Sequence, residues 1–176
     1  MFILWKKIHR EEFLAVIGDL LCQPEVWQMD DIRQHNDDVT CLDHSIFVSY
    51  VAFSLAKKWG LDATSAARAG LLHDLYLCDW STTDVSKYKR LLIHPAMAAR
   101  NAEMYGLSDI EKDAILTHMW PVTITKLPSN KISVVVNLSD KICATAEFLG
   151  LYSLIGAAAS LIEFNHRKCP QTVTAQ

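Results

Sequence analysis

The chain has 176 residues, enough to bury one substantial core, and 51% of them are apolar, which fits a compact globular protein and argues against a disordered one. A formal charge of −3 and a pI near 6.1 lack the basic excess of a nucleic-acid backbone binder, so no nucleic-acid polymer is expected as a partner.

Helical periodicity dominates in chain order. Phe13, Val16, Ile17, Leu20 and Leu21 recur at helical spacing between Glu11 and Leu21. Pro24 starts a short second helix that fades near His35. Asn36, Asp37 and Asp38 form a turn, and Asp38 is a candidate cap for the next helix. That helix is predicted from Val39 to Trp59, with His44, Val48, Val51, Leu55 and Trp59 on one face and Gly60 closing it. Asp62 caps a helix rich in Ala and Gly that runs to about Tyr76, and a polar loop follows from Asp79 to Lys87.

His94-Pro95 reads as a helix start with proline at the first position, and that helix runs to Tyr105 before Gly106. Ser108 with Glu111 three residues on is a capping box, and the helix it opens ends before Pro121. Met119 to Asn130 reads as a loop, with Pro121 and Pro128 bracketing a candidate lid. From Lys131 the β-branched run Val134 to Val136 would suit a strand. Ile132, Val136, Cys143 and Glu147 nevertheless keep helical spacing, and no partner strand exists elsewhere, so a helix is expected.

Phe148 to Phe164 is apolar apart from Ser153, Ser160 and Glu163. It is shorter than the roughly 18 uncharged residues of a membrane span, and Gly156 with Ala157 to Ala159 fits a closely packed core or dimer helix. A homodimer is therefore a candidate assembly, and the tail after Lys168 is expected to fray. Lys6 and Lys7 stop the apolar N-terminus before it reaches signal-peptide length. The five cysteines are scattered and odd in number, without C-x-x-C spacing, which points to reduced thiols in a cytoplasmic protein. One domain, 1–176, all-α, is the expected organisation, with the motif region at 39–150.

The chemistry concentrates in six residues. His73-Asp74 places a ring nitrogen beside a carboxylate, a pair able to grip one divalent cation. His44 heads a core-directed stripe, His118 ends the stripe Leu107, Glu111, Ala114, and Asp140 lies on the stripe Ile132, Val136, Cys143. One such histidine alone is best read as a core residue bonded to a carbonyl. Isolated buried ionisable groups are costly, so six of them on several helices are better explained by a shared metal site inside a bundle.

In this order, His44, His73-Asp74, His94, His118 and Asp140 resemble the H…HD…H…H…D pattern of the HD-domain superfamily of metal-dependent phosphohydrolases. The contexts Gly70-Leu71-Leu72-His73-Asp74, His94-Pro95 and Ser139-Asp140-Lys141 match as well. The chain looks like a bacterial branch marked by Leu72-His73-Asp74 with Asp79-Trp80 and by His118-Met119-Trp120-Pro121. Among better-known branches it most resembles the diadenosine-tetraphosphate hydrolases.

The resemblance implies an all-α HD-domain bundle. It implies that His44, His73, Asp74 and Asp140 bind one metal and that Asp74 bridges to a second held by His94 and His118. It implies iron first, with manganese, magnesium, zinc, nickel or cobalt as alternatives. The implied substrate is a phosphorylated small molecule of nucleotide type, and the implied catalytic residues are Asp74 and His73.

One position departs from the pattern. Many hydrolytic relatives carry Lys three residues after the Asp of the pair, where this chain has Leu77. Lys141, Lys126 and the run Lys87, Lys89, Arg90 are candidate replacements, although the run reads more simply as a solvated surface. Arg68, His35, Trp80 and Trp120 are further candidate substrate contacts, each also readable as packing or surface. Leu77 favours a second reading, a mixed-valence di-iron oxygenase of the same superfamily. A third is a metal-stabilised binding or signalling module without catalysis, against which the intact ligand set argues.

Overall fold

The computed structural model describes residues 7–33, 39–78, 80 and 83–150. Seven α-helices appear among them: α1 (Lys7–Leu21), α2 (Pro24–Trp27), α3 (Cys41–Lys58), α4 (Ala63–Leu72), α5 (Lys87–Ala102), α6 (Asp109–Thr117) and α7 (Lys131–Phe148). No strand occurs among the described residues; Arg33 and Thr40 form an isolated bridge. The architecture is all-α, and α7 is helical, as its spacing predicts. His35, the turn at Asn36 to Asp38, Asp79, the apolar stretch from 151 to 164 and the C-terminal tail lie outside the described residues.

Helix α3 is the central element, packed on α4, α7 and the 3-10 turn Gln28–Asp31. Its cap is Thr40, not Asp38. The Thr40 hydroxyl accepts from Asp43 N–H at 3.1 Å, and the Asp43 carboxylate accepts from Thr40 N–H at 3.2 Å. Because neighbours surround α3, it is buried well beyond one stripe, including Leu42, Ser45, Ile46, Ser49, Ala52 and Phe53. The predicted face ends early: Trp59 caps the helix at 49% exposure.

The main core lies between α1, α3 and α4. Phe13 meets Tyr50 edge-on at 5.4 Å and Phe53 at 5.5 Å, with Ile17, Ile46, Leu71 and Leu72 in the same cluster. Helix α4 lies close on α3 because it presents Gly70. A Cβ there would stand 2.8 Å from Ser49 Cα. The Ser49 hydroxyl seals the crossing by donating to the Ala67 carbonyl at 2.6 Å.

Two boundaries differ from expectation in ways that matter for the site. Helix α4 stops at Leu72 instead of Tyr76, and the chain turns, with Tyr76 N–H donating to the Asp74 carbonyl at 2.7 Å and Leu77 at φ 50. Helix α5 begins at Lys87 behind the Ser86 cap, not at His94. Pro95 is therefore internal, where its missing N–H removes one helical bond. The capping box Ser108–Glu111 forms as predicted, with Glu111 accepting from Ser108 N–H at 2.7 Å.

Cys41, Cys78 and Cys143 are free thiols. Cys22 is disulfide-bonded, which corrects the expectation of reduced thiols throughout. No described helix is long and apolar enough to cross a membrane.

Candidate metal centre

Five helices deliver the predicted residues to one buried place. His44 comes from the first turn of α3. His73 ends α4 and Asp74 follows it. His94 lies mid-helix on α5, His118 ends α6, and Asp140 lies mid-helix on α7. All six are buried. His44 Nε2 is 3.2 Å from Asp140 Oδ1, and His73 Nε2 is 3.7 Å from the same oxygen. Asp74 offers its two oxygens to different neighbours: Oδ2 is 3.5 Å from His73 Nε2, while Oδ1 is 3.3 Å from His94 Nε2 and 3.6 Å from His118 Nε2. Two donor groups with metal-binding spacing result, His44–His73–Asp140 and His73–Asp74–His118, which share His73.

The outward ring nitrogens explain why the inward ones converge. His73 Nδ1 donates to the Gly70 carbonyl at 2.8 Å, His94 Nδ1 to Arg90 at 2.9 Å, and His118 Nδ1 to Ile115 at 2.7 Å. A carbonyl can only accept, so each Nδ1 carries a proton and each Nε2 is the nitrogen directed at the cluster, where it can give a lone pair to a metal. His44 Nδ1 donates to both Glu147 oxygens, at 2.9 and 3.0 Å.

This donor arrangement fits a cation. His94 Nε2 and His118 Nε2 stand 2.9 Å apart with both Nδ1 atoms already committed as donors. Two neutral lone pairs at that distance repel unless a proton or a metal accompanies them. His73 Nε2 is fully buried without a hydrogen-bond partner, a state that is costly for a polar atom with no ligand to meet. Mixed imidazole and carboxylate donors suit transition metals better than calcium, which prefers all-oxygen sites.

The electrostatics follow from the packing. Burial pushes His44 down, but Asp140 and Glu147 on its two nitrogens outweigh burial and hold its pKa at about 10. Burial and the neighbouring His73 and His94 push His118 down to about 3. Burial opposes ionisation of Asp74, yet His73, His94 and His118 hold its carboxyl well below the usual range. Asp140 is held down in the same way by His44 and His73.

The remaining candidates fall into different surroundings. Lys141 Nζ donates to the His118 carbonyl at 2.9 Å and lies 3.7 Å from Asp140 Oδ2, so it borders the cluster. Trp120, partly exposed, follows His118 closely, and its carbonyl accepts from the Asn137 amide at 2.6 Å. Trp80 packs on Tyr76, with Arg90 over its ring at 5.6 Å, and Tyr76 in turn meets His94 edge-on. Lys126 is exposed on the loop after His118, and Lys87 and Lys89 are exposed on α5.

Arg68 is not brought to the cluster. Its guanidinium donates to Glu111, Asp19 and the Tyr105 carbonyl. Leu77 packs against the core. His35 lies outside the described residues.

Glu147 and Asn137 were not among the sequence candidates. Asn137 donates to the His118 and Trp120 carbonyls, both at 2.6 Å, and so holds the segment that carries His118. The signal for Glu147 is its place seven residues after Asp140, two turns along the same apolar face of α7.

The HD domain family matches residues 41–145, which contain all six predicted ligands. The chain is also similar to Ribonuclease Y of Mesoplasma florum, 29% identical over 102 residues, which covers 58% of this chain and 18% of that relative. It thus spans less than a fifth of the length of the curated relative it matches. With the ordered His and Asp residues converging in an all-α bundle and most of the chain matched, the chain belongs to the HD-domain family.

Proposed function

We propose that this protein is a phosphohydrolase with a two-metal centre, acting on a phosphate ester or anhydride of a nucleotide-like small molecule. The observation that carries the reading is the convergence of four Nε2 atoms and two carboxylates, each ring held by an outward Nδ1 bond. His44, His73 and Asp140 would hold one metal; His94 and His118 would hold the other, with Asp74 bridging. The opposed aim of the two Asp74 oxygens supports the bridge. Mixed imidazole and carboxylate donors suit iron or manganese better than calcium, and iron is the metal that the family resemblance favours.

When bound, such a pair of metals supplies an acidified water and neutralises charge on phosphoryl oxygens. The protein's own groups do the rest. Burial of the six ligands excludes bulk water and strengthens every charge interaction inside. Lys141 lies at the border of the cluster, 40% exposed at its side chain, where it can meet a phosphate. Trp120 offers an aromatic surface beside His118 for a base or ring. The ribonuclease activity named for the Mesoplasma florum relative is not carried over, since the shared segment is a small part of it.

A second reading, di-iron oxygenase chemistry, draws on Leu77. Its side chain packs against the core, so that position supplies no phosphate contact.

The test is metal analysis of protein purified without chelators, followed by phosphate release from nucleotides, dinucleoside polyphosphates and phosphomonoesters. The expected outcome is two metals per chain and turnover of one of these classes. Asp74→Ala should abolish bridging, lower metal content and abolish turnover, a larger loss than the roughly 10–100-fold that follows removal of an outer partner. Full metal content and turnover in Asp74→Ala would refute the two-metal reading. Oxygen consumption without phosphate release would decide for the oxygenase.

A further inference from the structure

Glu147 is the carboxylate at the centre that belongs to neither donor group. Its side chain has no exposed surface, and it lies just beyond the stretch matched to the family. The other three rings lean on backbone carbonyls three or four residues back in their own segments. His44 instead reaches across to another helix and meets a charged acceptor through both oxygens, at 2.9 and 3.0 Å. One face of α7 therefore grips the ring from both ends, Glu147 at Nδ1 and Asp140 at Nε2.

Two consequences follow. A carboxylate oxygen accepts, so Glu147 keeps a proton on Nδ1 and holds the ring with Nε2 as the nitrogen a metal would take. Its negative charge also makes that nitrogen a better donor than one backed by a neutral carbonyl. The position of His44, His73 and Asp140 thus has a carboxylate, Glu147, behind one of its rings, whereas His94 and His118 at the other position have only backbone carbonyls behind theirs. We infer that Glu147 is a positioning residue that makes the His44–His73–Asp140 position the tighter of the two metal positions. This rests on the two-metal reading above.

The test is calorimetric titration of Mn²⁺ into the chelator-stripped full chain, as wild type and as Glu147→Gln. Glutamine is nearly the same size but can turn its NH₂ toward Nδ1, which permits the ring form whose Nε2 carries the proton. Wild type should show two binding events of different affinity. Glu147→Gln should weaken the tighter event by roughly 10–100-fold and leave the weaker one within about twofold. The ratio of the two affinities is the readout, because a merely structural role would not shift one event alone. If Glu147→Gln does not fold, Glu147→Asp, which keeps the charge but shortens the reach, is judged by the same ratio. Unchanged affinities, or equal weakening of both events, overturns the inference and leaves the two-metal reading standing. No Mn²⁺ binding by wild type overturns both.

Discussion

A metal approaching His44 must displace a proton, because Asp140 and Glu147 hold the ring's pKa at about 10 once burial is outweighed. His94 is raised as well, Asp74 opposing its burial. At neutral pH the metal-free cluster therefore carries a proton on His44 where a metal would go. Metal binding is expected to release about one proton or more per chain near pH 7, with affinity rising as pH rises from 6.5 toward 10. Mn²⁺ calorimetry in buffers of different ionisation enthalpy measures this directly. A heat of binding independent of the buffer would contradict it.

The pairing of helices, more than any one helix, sets the geometry of the centre. His44 and His73 belong to neighbouring helices whose separation is fixed at Gly70, where an added Cβ would meet Ser49 backbone at 2.8 and 3.1 Å. Backbone atoms cannot swing aside, so α3 and α4 must move apart. Gly70→Ala is expected to destabilise by about 1–3 kcal/mol, a fall of roughly 2–4 °C in Tm per kcal/mol for a chain of this size. It should also lower metal content, since His73 moves with α4. Thermal melts with metal analysis test both; a variant with wild-type Tm would refute the close-packing argument.

At this scale the sequence is a good guide to element type and a poorer one to element ends. The capping box at Ser108–Glu111 is local chemistry and forms as predicted. The end of α4 at Leu72 is not local. The turn that follows, with Leu77 in the left-handed region, turns His73 and Asp74 inward, and nothing in the Ala- and Gly-rich pattern forbids one more helical turn. Pro95 misleads in the opposite direction. Proline favours a first turn, but α5 carries Pro95 internally and starts from the Ser86 cap.

For the whole molecule, the metal-free fold should be squeezed from both sides of pH. His118 is lowered to about 3, so the unfolded chain takes up a proton there that the folded chain refuses. Its contribution is full above 6.5 and is lost as pH falls through about 3. The lowered Asp74 and Asp140 add to the loss at the acid end. His44 is raised, so its contribution is full below 6.5 and is lost as pH rises through about 10. Melts of stripped protein across this span should give a maximum near 6.5, with lower Tm on either side. Bound metal should raise Tm by mass action where the ligands can give up their protons. A flat profile would show that the cluster does not couple to folding.

The sequence by itself determined that the chain is helical, that six His and Asp residues lie in order on core-directed positions, and that they resemble one metal-binding pattern. Periodicity, caps and residue order are written in near neighbours, which is why they can be read along the chain. Tertiary structure alone decided that Arg68 is spent on Asp19 and Glu111, that Lys141 borders the cluster, and that Glu147 stands behind His44. His44 and Glu147 are 103 residues apart. Which acceptor a buried ring nitrogen finds depends on how α3 and α7 pack, and no local pattern encodes that distance.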